Sequence, residues 1–310
     1  AQRERLRAAG AQAPPPRVGV LSRGSLDEPS LNALVRGLIE RALIPGKTIV
    51  VEKPDVRGDY HEFDKMAGKM NRRMALIVCD GFAATDAARN SAPGTPLVMV
   101  VDVDPVERGL VQSIARPGGN VSGVTLPGQE LGAKRVGLLK EVVPEARRLG
   151  ILWSSASRTE ADAVAEIETA ARRLGLEAHA AQVRYAGALD DAFAALAAFR
   201  ADSLALVPSR LFASLARRIA DHALAQRLPA VFAQASDARA GGLMSYSPDF
   251  SDAMRRAATF VERILRGVRP ADLPVEQSSK FELVVNMKTA RALGVTIPQT
   301  VLLRADEVIR

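Results

Sequence analysis

Leu149-Gly150-Ile151-Leu152-Trp153, then Ser154-Ser155-Ala156-Ser157, then a segment with Ala161, Val164, Ile167, Ala171 and Leu174 at helical spacing: this stretch decides the fold. A short apolar run bounded by small hydroxyl residues reads as a strand buried on both faces. The residues after it recur three or four apart, which is the period of one helix face. A strand apolar on both sides needs helices over both faces of its sheet, and that combination is a parallel α/β layer.

The same unit repeats on either side. Upstream lie strands Val18–Leu21, Thr48–Val51, Leu76–Cys79 and Leu97–Val101, separated by helical segments at about 29–42, 63–71 and 83–92. In the first of these helices Leu31, Leu34, Val35, Leu38 and Ile39 share a face, and Pro29 is tolerated in the first turn. Around and beyond Trp153 come a helix over 130–142, strand 178–183, helix 189–199, strand 204–207, helix 211–226 and strand 230–232. Two consecutive sets predict two doubly wound parallel-sheet lobes. A chain of 310 residues has the length for two cores.

Glycine and proline mark where the chain can change lobe. Arg116 to Gly128 is the first such segment, Gly241-Gly242 the second and Leu273-Pro274 the third. The expected division is therefore residues 17–123 with 241–273 as one lobe, and 124–240 with 274–310 as the other. Three crossings of this kind make a three-segment hinge. Residues 1–16 end in Pro14-Pro15-Pro16 and are expected to be a disordered or extended lead-in.

Composition removes several function classes. The hydrophobic fraction of 47% with 25% charged residues is that of a soluble protein, and no apolar run reaches the about 18 residues a membrane span needs. A first residue Ala1 in place of Met fits a chain whose leader was removed or trimmed, and nothing in residues 1–17 has a signal peptide's apolar core, so export is not legible in these residues. The single cysteine, Cys79, excludes an intramolecular disulfide and sits in an apolar run as a buried strand residue would. His61, His179 and His222 form no pair or metal-ligand spacing, so no metal or cofactor is expected. The net charge of +7 comes from arginines scattered along helices beside alanines and carboxylates, which argues for solvated faces rather than a nucleic-acid surface.

Ligands of open α/β sheets bind beyond the carboxyl ends of the strands. The corresponding loops offer Ser22, Arg23, Ser25, Gly81, Phe82, Ala83 and Asp102 from the first lobe. The second lobe offers Trp153, Ser154, Ser155, Ser157, Ser209, Gln234 and Tyr246. Hydroxyls and amides suit a small polar ligand, and Phe82, Trp153 and Tyr246 suit a planar or apolar portion, although rings at strand ends also cap cores. The helix starts after Gly81 and at Ser157 are candidate carboxylate holders, with simple helix capping as the alternative for Ser157 and Thr159. Arg23 and Arg210 are the arginines of these loops. Asp102 and Asp104 form a carboxylate pair or simply orient their loop. Dinucleotide, P-loop and nucleophile-elbow motifs are all missing, and no base, nucleophile and orienting group converge, so catalysis is not expected.

The order of several short words adds a resemblance. Arg116-Pro117-Gly118-Gly119-Asn120-Val121-Ser122-Gly123 is followed by Gly241-Gly242-Leu243-Met244-Ser245-Tyr246, by Ile264-Leu265-Arg266-Gly267 and by Pro270 to Gln277. Then come Lys280 to Asn286, Leu293-Gly294-Val295-Thr296-Ile297-Pro298 and Ala305 to Ile309. Together they resemble the substrate-binding subunits of a family of ABC uptake transporters, relatives of tryptophan and aromatic amino acid binding subunits, over about 18–309.

The resemblance implies a periplasmic binding protein type I, Venus-flytrap fold and an extracytoplasmic, monomeric receptor. Such a receptor closes its hinge on a small ligand and delivers it to a membrane permease of the ABC importer. Closure would be a population shift with no bond made or broken. The chain departs from the family's spelling between Tyr60 and Asn90, where Met74-Ala75 and Cys79-Asp80-Gly81-Phe82 stand, so the ligand of better-known relatives does not transfer automatically. The alternatives are a ligand-sensing domain of a regulator and, further off, an enzyme on a nucleotide-like substrate.

Overall fold

Short apolar runs become the strands of two sheets, and the amphipathic segments between them cover both faces. The computed structural model describes residues 14–22, 28–54, 56, 60–126, 131–154 and 158–310. The chain opens with β1 (Arg17–Leu21), α1 (Glu28–Ile39), β2 (Val50–Glu52), α2 (Tyr60–Met70), β3 (Leu76–Asp80), α3 (Phe82–Ser91), β4 (Leu97–Val101) and β5 (Val121–Thr125). It continues through α4 (Leu131–Val142), β6 (Arg148–Trp153), α5 (Arg158–Arg173), β7 (Glu177–Gln182), α6 (Leu189–Phe199) and β8 (Ser203–Leu206). Next are α7 (Arg210–Ala225), β9 (Ala230–Phe232), α8 (Ala235–Arg239) and β10 (Met244–Pro248). The last stretch holds α9 (Phe250–Leu265), β11 (Glu276–Gln277), β12 (Phe281–Asn286), α10 (Met287–Leu293), α11 (Gln299–Leu302) and β13 (Glu307–Ile309).

Two compact units result, residues 1–128 with 249–279 and residues 129–248 with 280–310. Unit one holds a parallel sheet in the order β11-β5-β4-β3-β1-β2. One face is covered by α1 and α9 over Val18, Val20, Leu76, Val78, Val98 and Val100. The other face is covered by α2 and α3 over Ile77, Cys79, Leu97 and Met99. Cys79 is fully buried with its thiol pKa raised by desolvation, which fits the structural reading.

Helix α9 explains itself from sequence. Asp249 caps it by accepting from the Asp252 N–H at 2.9 Å, and Ala253, Met254, Ala257, Ala258, Val261 and Ile264 repeat along its buried face. It lies so close to α1 that a Cβ on Gly37 would stand 2.5 Å from the Arg255 carbonyl.

Unit two holds the order β13-β12-β10-β9-β8-β6-β7, parallel except at β10–β12. Helices α4 and α5 bury Val136, Leu139, Val164 and Ile167 on one face, and α6 and α7 bury Phe193, Leu196, Leu215 and Ile219 on the other. The ends of the α5 stripe differ from the expected face. Ala161 and Leu174 are exposed, and Ala163 and Ala170 complete the contact, because the helix drifts past its sheet at both ends.

The crossings fall elsewhere than the glycines suggest. Gly123 lies in the middle of β5, where its φ of +143° and a Cβ-to-Met99 carbonyl distance of 2.1 Å make it a close-packing residue rather than a connector. The turn at Gly241-Gly242 leads into β10, which still pairs with β9 of unit two. Leu273 remains in unit one, where its carbonyl accepts from the Ser122 hydroxyl at 2.7 Å and β11 pairs with β5 beyond it. The chain therefore changes unit after Pro248 and after Ser279, and the first crossing lies within 127–130, outside the described residues. The lead-in residues 1–13 lie outside them as well.

Candidate functional site

Strand order decides where each sheet opens a ligand crevice, because the βα loops diverge where the order reverses. In unit one the order 2-1-3-4-5 reverses between β1 and β3, and in unit two the order 7-6-8-9-10 reverses between β6 and β8. The residues that follow these four strands are Ser22, Gly81, Ser154 and the Val207–Ser209 turn. All but Val207 and Pro208 are among the candidates read from sequence.

In unit one, Ser22 is fully buried and its Oγ has no hydrogen-bond partner among the described residues. Arg23 and Ser25 lie outside the described residues. Gly81 adopts a φ of +85°, which bends the chain from β3 into α3. Its N–H donates to the Val100 carbonyl at 2.8 Å, and its carbonyl accepts from the Thr85 hydroxyl at 2.9 Å. No side chain caps α3, and no acidic residue occupies its first turn, so its leading N–H groups keep their positive end of the helix dipole.

Phe82 is half-buried against the core with the Arg108 guanidinium 5.7 Å from its ring centre. Ala83 is buried and serves as helix wall. Asp102, just after β4, is solvent-exposed.

In unit two the reversal point carries a short relay of hydroxyls. Ser209 donates to Ser154 Oγ at 2.9 Å, and Ser154 donates on to the Glu160 carboxylate at 2.7 Å. The Ser154 N–H also reaches Glu160 at 2.9 Å, and Ser209 Oγ caps α7 by accepting from the Leu211 N–H at 3.2 Å. Desolvation raises the Glu160 carboxyl while the Ser154 bonds oppose it. Both serine protons are thus committed inside the protein, so these residues shape the crevice and leave little donor capacity for a ligand. Ser155 and Ser157 lie outside the described residues, and so does the side chain of Arg210. Trp153 is half-buried on the α4–α5 side of the sheet, and its carbonyl accepts from the Val183 N–H at 2.8 Å. Gln234 is exposed at the start of α8 with its side chain outside any cap.

Tyr246 departs from its expected place in a strand-end loop. It sits within β10 and stacks on Phe281 at 5.5 Å between ring centres. Its ring lines a groove of ≈ 340 Å³ with Lys134, Leu138, Leu283, Arg304 and Asp306. Alternation along the strand turns it toward α4.

Sequence reading missed Arg135. Its Nε donates to the Tyr246 carbonyl at 2.8 Å and its Nη2 to the Ala233 carbonyl at 3.2 Å, beneath the Gln234 loop. Burial lowers its pKa to about 10, with Glu166 and Asp237 opposing that shift. Asp237, buried on α8, leaves its Oδ1 without a hydrogen-bond partner among the described residues, and desolvation pushes its carboxyl up to about 6. The signal for Arg135 was present: it falls four residues after Leu131 and three and four before Leu138 and Leu139, a charge on the apolar face of α4. Among the described residues no cluster of His, Cys, Asp and Glu could hold a metal ion, and no helix is long and apolar enough to cross a membrane.

Comparison with known proteins gives a consistent result. A family model described as ABC transporter substrate binding protein matches residues 20–309. A tyrosine-binding protein of Clostridioides difficile (strain R20291) is 23% identical over 274 residues, which span 86% of this chain and 78% of that protein. A Streptococcus pneumonia ABC domain solved in complex with L-Trp superposes with a TM-score of 0.82 at 24% identity, over 96% of this chain and 100% of that one. A ligand-free, open substrate-binding protein with adhesive properties from Clostridium difficile gives 0.75 at 20% identity, over 95% and 99%.

Proposed function

We infer that this chain, which belongs to the family of ABC transporter substrate binding proteins, is the solute-binding subunit of an importer and takes a small organic ligand of amino-acid type. The observation that carries this reading is the hydroxyl-lined reversal point of unit two, Ser209–Ser154–Glu160, in a chain matched by the family model from residue 20 to 309. A partly buried relay of this kind holds two strand ends in a fixed shape, which is what recognition of a small ligand needs. An aromatic or branched amino acid, or an aromatic acid, is the favoured ligand. The tyrosine-binding relative and the tryptophan-bound neighbour support that choice, as do Phe82 and Trp153 beside the strand ends.

In unit one, the uncapped α3 start beyond Gly81 suits the ligand's carboxylate. In unit two, Trp153 and Gln234 contribute the remaining contacts. Ligand binding favours the state of higher affinity by the difference in affinity between the two states. The protein acts as an extracytoplasmic monomer that presents its ligand to a membrane permease, without catalysing a reaction.

Trp153, the single tryptophan, provides the assay. Titration with L-tyrosine, L-phenylalanine and L-leucine, followed by tryptophan fluorescence and calorimetry, should show saturable binding of at least one amino acid and none of sugars or nucleotides. Saturable binding of a sugar with no response to amino acids would overturn the ligand assignment, and product formation during incubation would favour the enzyme alternative.

A further inference from the structure

Arg135 occupies the apolar face of α4 and is 3% exposed. Burying a guanidinium is costly unless its donors are satisfied and its charge is balanced. Two of its five N–H donors go to backbone, to the carbonyls of Ala233 and Tyr246. Ala233 directly follows β9, and Tyr246 is two residues from the carboxyl end of β10, so one side chain spans two adjacent parallel strands beneath the loop that carries Gln234.

Charge balance comes from Glu166 on α5 and Asp237 on α8, acting across space. Glu166 is itself held by the Ala133 N–H at 3.0 Å. An apolar residue could fill the same space at lower desolvation cost. What the guanidinium adds is geometry: a planar fork that fixes the relative position of two strands.

We propose that Arg135 is a positioning residue for ligand binding, tying the carboxyl end of β9 to the middle of β10 and thereby fixing the Gln234 loop that the ligand meets. The proposal rests on the amino-acid-binding reading above. It differs from a purely structural role because the group it holds is the ligand-facing edge of the sheet.

The test uses the full chain with Arg135→Ala, Arg135→Lys and the double variant Arg135→Met with Asp237→Asn, which removes the carboxylate that a lone substitution would leave buried. Affinity for L-tyrosine and L-tryptophan is measured by calorimetry with and without methylguanidinium, and hydrogen exchange of residues 233–235 and 246–247 is followed in ligand-free protein. Arg135→Ala should bind about tenfold or more weakly, as expected for loss of hydrogen bonds from a charged donor. Methylguanidinium should restore most of the loss, and Arg135→Lys should retain part of it. Exchange in the two segments should rise and be reversed by the same additive.

Unchanged affinity in any folded variant overturns the proposal, the double variant serving if Arg135→Ala does not fold. So does a loss that methylguanidinium leaves untouched while exchange rises evenly across unit two, since plain destabilisation gives that pattern. If the wild-type protein binds neither amino acid, the ligand reading fails. The exchange experiment then still decides whether Arg135 holds the two strands together.

Discussion

Asp237 shows how one buried carboxyl ties pH to stability. Its native pKa is pushed up to about 6 by burial, against an unfolded value near 3.9. Between those values the native state binds more protons than the unfolded state, so stability falls as pH rises from about 4 to about 6 and then levels. The shift corresponds to about 3 kcal/mol lost at neutral pH. Asp237→Asn keeps the side chain's size and an oxygen acceptor and removes the titration. Its stability relative to wild type should therefore climb between pH 4 and 6 in urea titrations, and a difference that stays flat with pH would contradict this account. Trp153 is the other residue whose role can be separated by measurement. If its exposed part anchors the ligand, Trp153→Ala should lose about 1–3 kcal/mol of binding, with a stability loss smaller than the about 3–5 kcal/mol typical of a fully buried ring. Unchanged affinity in the folded variant would assign Trp153 to the core alone.

At the scale of elements, strands and helices were legible because each has a simple periodicity, whereas their contacts depend on partners far away in sequence. β5 illustrates the difference. Its sequence Val121-Ser122-Gly123-Val124-Thr125 reads as a glycine-rich connector, yet it is buried along its whole length beside β4. Gly123→Ala would place a methyl 2.1 Å from the Met99 carbonyl at a φ that L-residues avoid, so a loss of about 3 kcal/mol or more is expected in chemical denaturation. Tolerance of alanine there would show that the β4–β5 pair can relax. The start of α10 makes a milder test. Asn286 is 5% exposed, accepts from the Lys288 and Thr289 N–H groups and donates to the Ala238 carbonyl at 3.1 Å. Asn286→Ala removes both the cap and a buried bond, with an expected cost of about 2 kcal/mol by thermal or urea melting.

For the whole molecule, three chain crossings link two units that each own a sheet and two helix layers. Ligand-driven closure predicts a smaller radius of gyration by solution scattering when a binding amino acid is added, and an unchanged value with a saturating ligand would reject the hinge mechanism. The sequence alone determined the α/β class and the two doubly wound sheets, because apolar runs such as Leu76–Cys79 and Leu97–Val101 can be buried only between helix layers. It also singled out Ser154 and Ser209, since strand ends can be located from the same runs. Tertiary structure alone decided where the chain changes unit, because β10 and β11 are claimed by hydrogen bonds to β9 and β5 rather than by the glycines and prolines near them. It likewise turned Tyr246 toward α4 and revealed Arg135 beneath Gln234, since the face a side chain takes and the carbonyls it meets are fixed by strand pairing and helix docking, which no local spacing encodes.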